Sequence, residues 1–385
     1  MHDRTPLIAA WARSAVVPRG GAFAQLLMHD MATPVLHHML AQAGVPAHAV
    51  DTIILGNALG AGGNPARMLA LHAGLPPSCS ALTVDTQCCA GLDAVRMGAA
   101  LIASGQAHVV VAGGAEAWSR SPIRLHRPTQ AGQTPVAFDR PAFAPTPEQD
   151  PDMLVSAARY ASQHHISRAQ QEAYALLSHQ RAVQHATHLA NEIVPIAGVT
   201  HDTYPRPLDA ARAARMPAAL HDDGLNADCA LTTLTISAQA DGAALVLLLS
   251  PEACTRLNVT AKAKWVGGVS VGGAPEWPLV AAELASRHVL HQTGLALATD
   301  IHSVELHDAF AVQGLSFCSA MGLAPERINP RGGGLARGHP IGASGAIALV
   351  RVLSNLARDA QTGAKGLVAV AGAGGLGAAA VVAQC

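Results

Sequence analysis

Twice along this chain an apolar helix runs into a short β-branched strand that stops at glycines. The first instance is Ala90 to Ser104, closed by Gly105, then His108-Val109-Val110-Val111-Ala112 and Gly113-Gly114. The second is Ile341 to Arg358, then Gly366-Leu367-Val368-Ala369-Val370-Ala371 and its glycines. Each is preceded by a strand that ends in a loop, Val50 to Leu55 in one half and Val304-Glu305-Leu306 in the other. Helices alternating with short buried strands read as an α/β protein. The same order appearing twice predicts an internally duplicated, layered α/β fold, with halves at residues 1–256 and 257–385.

Residues 117–240 break this rhythm. Pro122, Pro128, Pro135, Pro141, Pro145, Pro147 and Pro151 interrupt any long element, so 120–151 is expected to be loop. Ile166-Ser167 to Ala190 then reads as one helix, with Ser167 as its N-cap. The whole region is an insertion in the first half, expected to lie as a lid over a site made by both halves.

Composition narrows the function. Half of the 385 residues are hydrophobic and 13% are charged, which excludes a disordered chain. Lys and Arg total 25 against 26 Asp and Glu, so the basic excess of a nucleic-acid binder is missing. The seven cysteines are too few and too odd in number for a disulfide framework, and none has zinc spacing with a neighbour. Reduced thiols in the cytoplasm and no bound metal are the expectation. From Gly366 to Ala383 every residue is apolar or glycine, close to the length of a membrane span. Its four internal glycines and flanking valines favour strand, turn, strand instead. The Gly372-x-Gly374-x-x-Gly377 spacing imitates a dinucleotide fingerprint, but the eight residues left cannot supply the helix and strand that such a site needs.

Three residues stand out for chemistry. Cys88 lies in Gln87-Cys88-Cys89-Ala90-Gly91, where a helix N-terminus and backbone N–H groups favour a thiolate. Gly91 leaves room for a ligand or a second backbone. His339 lies in Gly338-His339-Pro340-Ile341-Gly342-Ala343-Ser344-Gly345, with glycines clearing space round the imidazole and Pro340 suited to the first helical position. His307 follows Val304-Glu305-Leu306 at a strand end, where α/β folds place their sites.

These segments resemble the thiolases. Ala12-Arg13-Ser14, Gly62-Gly63-Asn64-Pro65-Ala66-Arg67, Gln87 to Gly91, Gly113 to Ser119, Ser178 to Ala182, Asp241 to Ala244 and Gly338 to Gly345 match successive thiolase blocks in order. The resemblance implies an α/β/α/β/α layered fold with a lid-like insertion, usually a homodimer or homotetramer. It implies an acyltransferase acting on a coenzyme A thioester, with no permanently bound cofactor. By the same resemblance Cys88 is the nucleophile, Cys89 fills the small position beside it, and His339 activates the thiol. His307 stands where many thiolases have Asn. Ser237 matches a serine that contacts the pantetheine arm, and the N–H groups of Cys88 and Ala373 form an oxyanion hole.

One departure bears on the reaction. Thiolases use a second cysteine to move the α-proton of acetyl-CoA, and that position carries Ala371 here. The alternative position in a related branch carries Ala309. Decarboxylating condensation on a coenzyme A or carrier-protein thioester, using Cys88, His307 and His339, is therefore the competing expectation. A non-catalytic partner subunit that only binds an acyl chain is a third.

Overall fold

The structure is a computed structural model that describes residues 3–220 and 224–385. Its centre is a mixed sheet of eleven strands. One half runs outward from Leu7–Ser14 through Ala240–Leu249, Val109–Glu116 and Thr52–Gly56 to Ser80–Val84. The other runs outward from Ala263–Gly272 through Leu376–Gln384 and Lys365–Gly372 to Ile301–His307. In both, the first two pairings are antiparallel and the third is parallel. The halves meet where Leu7 pairs with Lys264 and Ile8 with Ala263. The duplication read from the sequence is thus a repeat of strand order and direction.

Helices Ala90–Ser104 and Ser344–Asp359 occupy equivalent places in the two halves and lie together at the centre. They share one core, in which Leu92, Val95, Ala346 and Leu349 pack with Ile54 and Val110 of one half and Val368 and Val382 of the other. Helix Met28–Ala43 covers the far face of the first half through Met31, Leu36 and Met39. Helix Ala281–Thr293 covers the second through Ala285 and Val289. Alternate residues of each strand face opposite layers, so strands buried on both sides read as unbroken apolar runs. The result is the expected α/β/α/β/α layering.

Local expectations were met unevenly. Ala90–Ser104 ends at Gly105, whose φ of 75° is left-handed as a glycine stop requires. Strand Val109–Glu116 does not stop at Gly113-Gly114 but runs through them. A Cβ at Gly113 would lie 2.1 Å from the Ala244 carbonyl oxygen, so these glycines serve close packing. The helix expected from Ile341 begins at Ser344, after a tight turn at Ile341–Ala343, and Pro340 is extended at φ −76°, ψ 99°. Residues 120–151 contain a small hairpin, Arg124–His126 against Val136–Phe138. The helix expected over 166–190 is two, Arg168–Gln184 and Ala186–Ala190, broken at His185. Ser167 does cap the first, accepting from the Gln170 N–H. Gly366 to Ala383 forms the strand–turn–strand, and none of the described helices is long and apolar enough to cross a membrane.

The insertion is tied to both halves by buried charge. Arg13 donates to Glu192 Oε1 at 2.7 Å and to Asp202 through both terminal nitrogens, at 2.6 and 2.9 Å. Arg351 of the central helix pairs with the other oxygen of Glu192. The two arginine and the two acidic side chains are almost fully buried. The Asp202 carboxylate also accepts from the Val16 N–H at 2.8 Å.

Candidate active site

Cys88 sits in the tight turn Gln87–Cys89 that leads directly into helix Ala90–Ser104. Gln87 holds φ +54°, an uncommon conformation for a residue with a side chain. Asp85 offsets that strain by accepting from both the backbone N–H and the side-chain amide of Gln87, at 3.0 and 2.9 Å. The turn presents the Cys88 sulfur 3.1 Å from Nε2 of His339.

His339 is fixed at two points besides its contact with Cys88. Its backbone N–H donates to the Ala238 carbonyl at 2.7 Å, and Nδ1 lies 2.7 Å from Ser344 Oγ. Ser344 gives its own proton to the Pro340 carbonyl at 2.9 Å, so toward the ring it accepts. Nδ1 therefore carries the hydrogen and Nε2 presents a lone pair to the thiol. Gly338 precedes the ring at φ +116°, ψ 173°, a region essentially reserved for glycine. The glycines after His339 serve a purpose other than the expected clearance. A Cβ on Gly342 would lie 2.7 Å from the Asn57 Cα, and one on Gly345 2.8 Å from Leu92 Cβ. They let the two halves touch backbone to backbone. Gly91 likewise faces the Gly342 carbonyl, a second backbone.

His307 ends its strand and stacks on His339, ring centroids 4.4 Å apart at 29°. It is buried, and its Nε2 has no hydrogen-bond partner among the described residues. A Cβ at Gly334 would lie 2.5 Å from its Nδ1, so the ring depends on that glycine. Ala373 opens the turn between the last two strands, and its N–H faces the Cys88 sulfur, as does the N–H of Cys88 itself.

Burial sets the protonation. It pushes the Cys88 thiol up to about 12, against the opposing pull of the Ala373 and Cys88 N–H groups. The expected thiolate is thus overturned, because desolvation of the charge outweighs the helix dipole and the backbone donors. Burial also lowers His339 to about 4, although the residue is only half-buried at its surface. His307 lies well below its ordinary value for the same reason, with the neighbouring His339 adding to the effect. The resting pair is a neutral thiol facing a neutral imidazole, ready to pass a proton only as a bond forms.

Ser237 sits one residue before Ala238, with its N–H on the Ala309 carbonyl and its hydroxyl donating to the Gly334 carbonyl at 2.7 Å. Cys89 points away, its sulfur 3.7 Å from the Val370 carbonyl. Ala371 and Ala309 both carry a methyl group, and Ala371 packs with Val304, Leu306 and Ala369. Sequence reasoning missed Ser344 and the Glu116 clamp. Glu116 accepts from Asn57 Nδ2 and from the N–H groups of Ala58, Leu59 and Gly342, which locks the His339 loop to the first half. An acidic residue just after paired glycines was the available signal. A cavity of about 570 Å³ on the insertion is lined by Arg206, Arg212, Arg215 and Asp209, and shares no lining residue with the Cys88 pair.

A thiol and a tautomer-fixed imidazole meet between duplicated α/β halves, an arrangement of the cysteine–histidine kind. The chain matches the family described as thiolase, N-terminal domain, over residues 7–252 and thiolase, C-terminal domain, over 259–384. It is 34% identical to an acetyl-CoA acetyltransferase of Rhizobium meliloti (strain 1021) over 98% of each chain. The crystal structure of the Bacillus anthracis acetyl-CoA acetyltransferase superposes with a TM-score of 0.92 at 30% identity, covering 100% of this chain and 99% of that one. The Acat5 thiolase from Ascaris suum, solved in complex with coenzyme A, gives 0.90 at 27%, covering 99% and 100%. The chain belongs to the thiolase family, and by that membership it is an acyltransferase.

Proposed function

We propose that the protein is an acyl-CoA C-acyltransferase in which Cys88 takes the acyl group from a coenzyme A thioester. The contact of 3.1 Å between the Cys88 sulfur and a histidine nitrogen whose far side is held by Ser344 carries this reading. As the sulfur bonds to the thioester carbon, the thiol proton moves to Nε2 of His339. The carbonyl oxygen takes the charge beside the N–H groups of Cys88 and Ala373. Collapse breaks the bond to the coenzyme A sulfur, and His339 returns the proton to that leaving thiolate. Free coenzyme A and an acyl-Cys88 thioester result.

Ser237 is assigned to the pantetheine arm. Its proton is spent on Gly334, so it offers lone pairs to an amide N–H. The arginine-lined cavity has the charge to hold the phosphates of coenzyme A. Residues 1–256 supply Cys88 and 257–385 supply His339 and His307. The enzyme works in the cytoplasm as a homodimer or homotetramer, without a resident cofactor.

A second reading of the carbon-bond step is favoured by His307. Losing a general base costs about 10²–10⁴-fold, or roughly 3–5 kcal/mol, so condensation by deprotonating acetyl-CoA is slow with alanine at 371 and 309. Loss of CO₂ from a malonyl thioester makes the carbanion without a base. The Nε2 of His307, unpartnered among the described residues and stacked beside His339, supports this reading as a donor to the enolate oxygen. Intact-protein mass spectrometry with acyl-CoAs of several lengths tests the first step: the acyl mass appears on the wild type and vanishes in Cys88→Ala. An adduct kept on Cys89 or Cys318 would sink the assignment. Adding malonyl-CoA to the acyl-enzyme tests the second, with CO₂ release expected and equal turnover of acetyl-CoA refuting it.

A further inference from the structure

We propose that His29, Asp30 and His72 form a binding site for one divalent transition-metal ion of the zinc class. His29 and Asp30 lie in the first turn of helix Met28–Ala43, and His72 is the last residue of helix Pro65–His72. Forty-one residues lie between Asp30 and His72, so no local spacing announces the group. Helix packing brings the three together.

For Asp30 and His72 the ligand atom faces the group because the other polar atom of the side chain is engaged elsewhere. Asp30 Oδ2 accepts from the Leu27 N–H at 2.8 Å, which leaves Oδ1 open. His72 Nδ1 lies 2.8 Å from Thr33 Oγ1, a contact that orients the ring with Nε2 turned toward Asp30. Contacts of this kind fix the tautomer and direction of metal-binding histidines.

The geometry is close to a coordination sphere. Oδ1 of Asp30 is 4.0 Å from His29 Nε2 and 3.8 Å from His72 Nε2, and the three ligand atoms lie within 4.8 Å of one another. An ion equidistant from atoms so spaced sits about 2.5 Å from each, and zinc needs about 2.0–2.2 Å. For an ion in the plane of the three atoms each side chain closes by a few tenths of an ångström, and for a tetrahedral site with a fourth ligand the two imidazole nitrogens approach each other by about 1 Å or more. The two rings meet edge-on, centroids 4.8 Å apart at 60°, and are not stacked. Two imidazoles and one carboxylate suit zinc, cobalt or nickel and disfavour magnesium and calcium. The group is reachable, with side-chain exposures of 17%, 35% and 42% for His29, Asp30 and His72. His29 also borders a cavity of about 230 Å³, which gives room for a water in the fourth position. Bound there, the ion clips together the two helices that flank the glycine-rich loop at residues 60–63.

The test uses the full chain in a Cys88→Ser, Cys385→Ser background, stripped with EDTA and titrated with zinc chloride against a chromogenic chelator. The parent should bind one equivalent more than His29→Ala or His72→Ala, or bind it about tenfold or more tightly than either variant. Asp30→Asn, which keeps an acceptor for the Leu27 N–H, adds a third variant whose fold is preserved, and circular dichroism checks all of them. Zinc should raise the melting temperature of the parent alone, and magnesium should raise none. Equal zinc stoichiometry and affinity in the parent and the three variants, or no zinc bound by the parent, would overturn the proposal.

Discussion

Replacing Ser344 by alanine isolates the part of the site that the sequence did not disclose. The hydroxyl accepts from His339 Nδ1 at 2.7 Å and donates to the Pro340 carbonyl at 2.9 Å. In the resting enzyme the ring is neutral, and a neutral hydrogen bond contributes about 0.5–1.5 kcal/mol. When Nε2 takes the thiol proton the ring becomes a cation, and the same bond is worth about 1.5–3 kcal/mol. The difference, about 1–2 kcal/mol, is stabilisation felt only as charge develops, which is what lowers a barrier. Ser344→Ala should therefore slow acylation about 5–30-fold at saturating substrate, at 1.36 kcal/mol per tenfold. Release of coenzyme A in a single turnover, followed with a thiol-reactive chromophore, measures this directly. The fold should survive with a slightly lowered melting temperature, since the Pro340 carbonyl loses one of its two donors and keeps the Ala343 N–H at 2.9 Å. An acylation rate within twofold of wild type, in a folded variant, would refute the claim that Ser344 sets the tautomer and supports the imidazolium.

Because burial holds His339 near 4 and Cys88 near 12, the acid limb of kcat/KM for acylation should fall near pH 4 instead of near 6.5. Alkylation of Cys88 by iodoacetamide should climb about tenfold per pH unit to pH 10 without a plateau, and a plateau below pH 8 would mean a resting thiolate–imidazolium pair. Glu192→Gln should cost about 3–5 kcal/mol in denaturant unfolding, because Arg351 and Arg13 both lose a buried carboxylate, and a loss below 1 kcal/mol would contradict that tie. Ala371→Cys should raise acetoacetyl-CoA formation about 10–100-fold, part of what a general base supplies, and unchanged synthesis in a folded, acylated variant would mean the site is built for another reaction.

Much of the fold is legible in the sequence because its signals are local. The apolar run from Ala90 to Ser104 with Gly105 behind it, and the valine-rich strands before Gly114 and Gly372, specify their elements through neighbours a few residues away. Ser167 announced a cap for the same reason. The break at His185 and the later start at Ser344 were not legible, since both depend on what packs against those turns. Gly342 and Gly91 show the limit most directly. The sequence context of Gly342 suggested clearance for the imidazole and that of Gly91 left a ligand or a second backbone open, and the structure places a backbone from the opposite half against each.

The site divides along the same line. The sequence by itself determined that Cys88 precedes a helix, that His339 stands in a glycine-rich turn, and that no ionisable group occupies 309 or 371. Only the tertiary structure decided that two side chains 251 residues apart meet at 3.1 Å, and that both are uncharged. A helix dipole acts from within its own element and can be read from order along the chain. Desolvation comes from every atom that surrounds the group, and here that sum reverses the local expectation. His29, Asp30 and His72 follow the same rule: each is an ordinary polar residue in its own helix, and their common focus exists only where two helices pack.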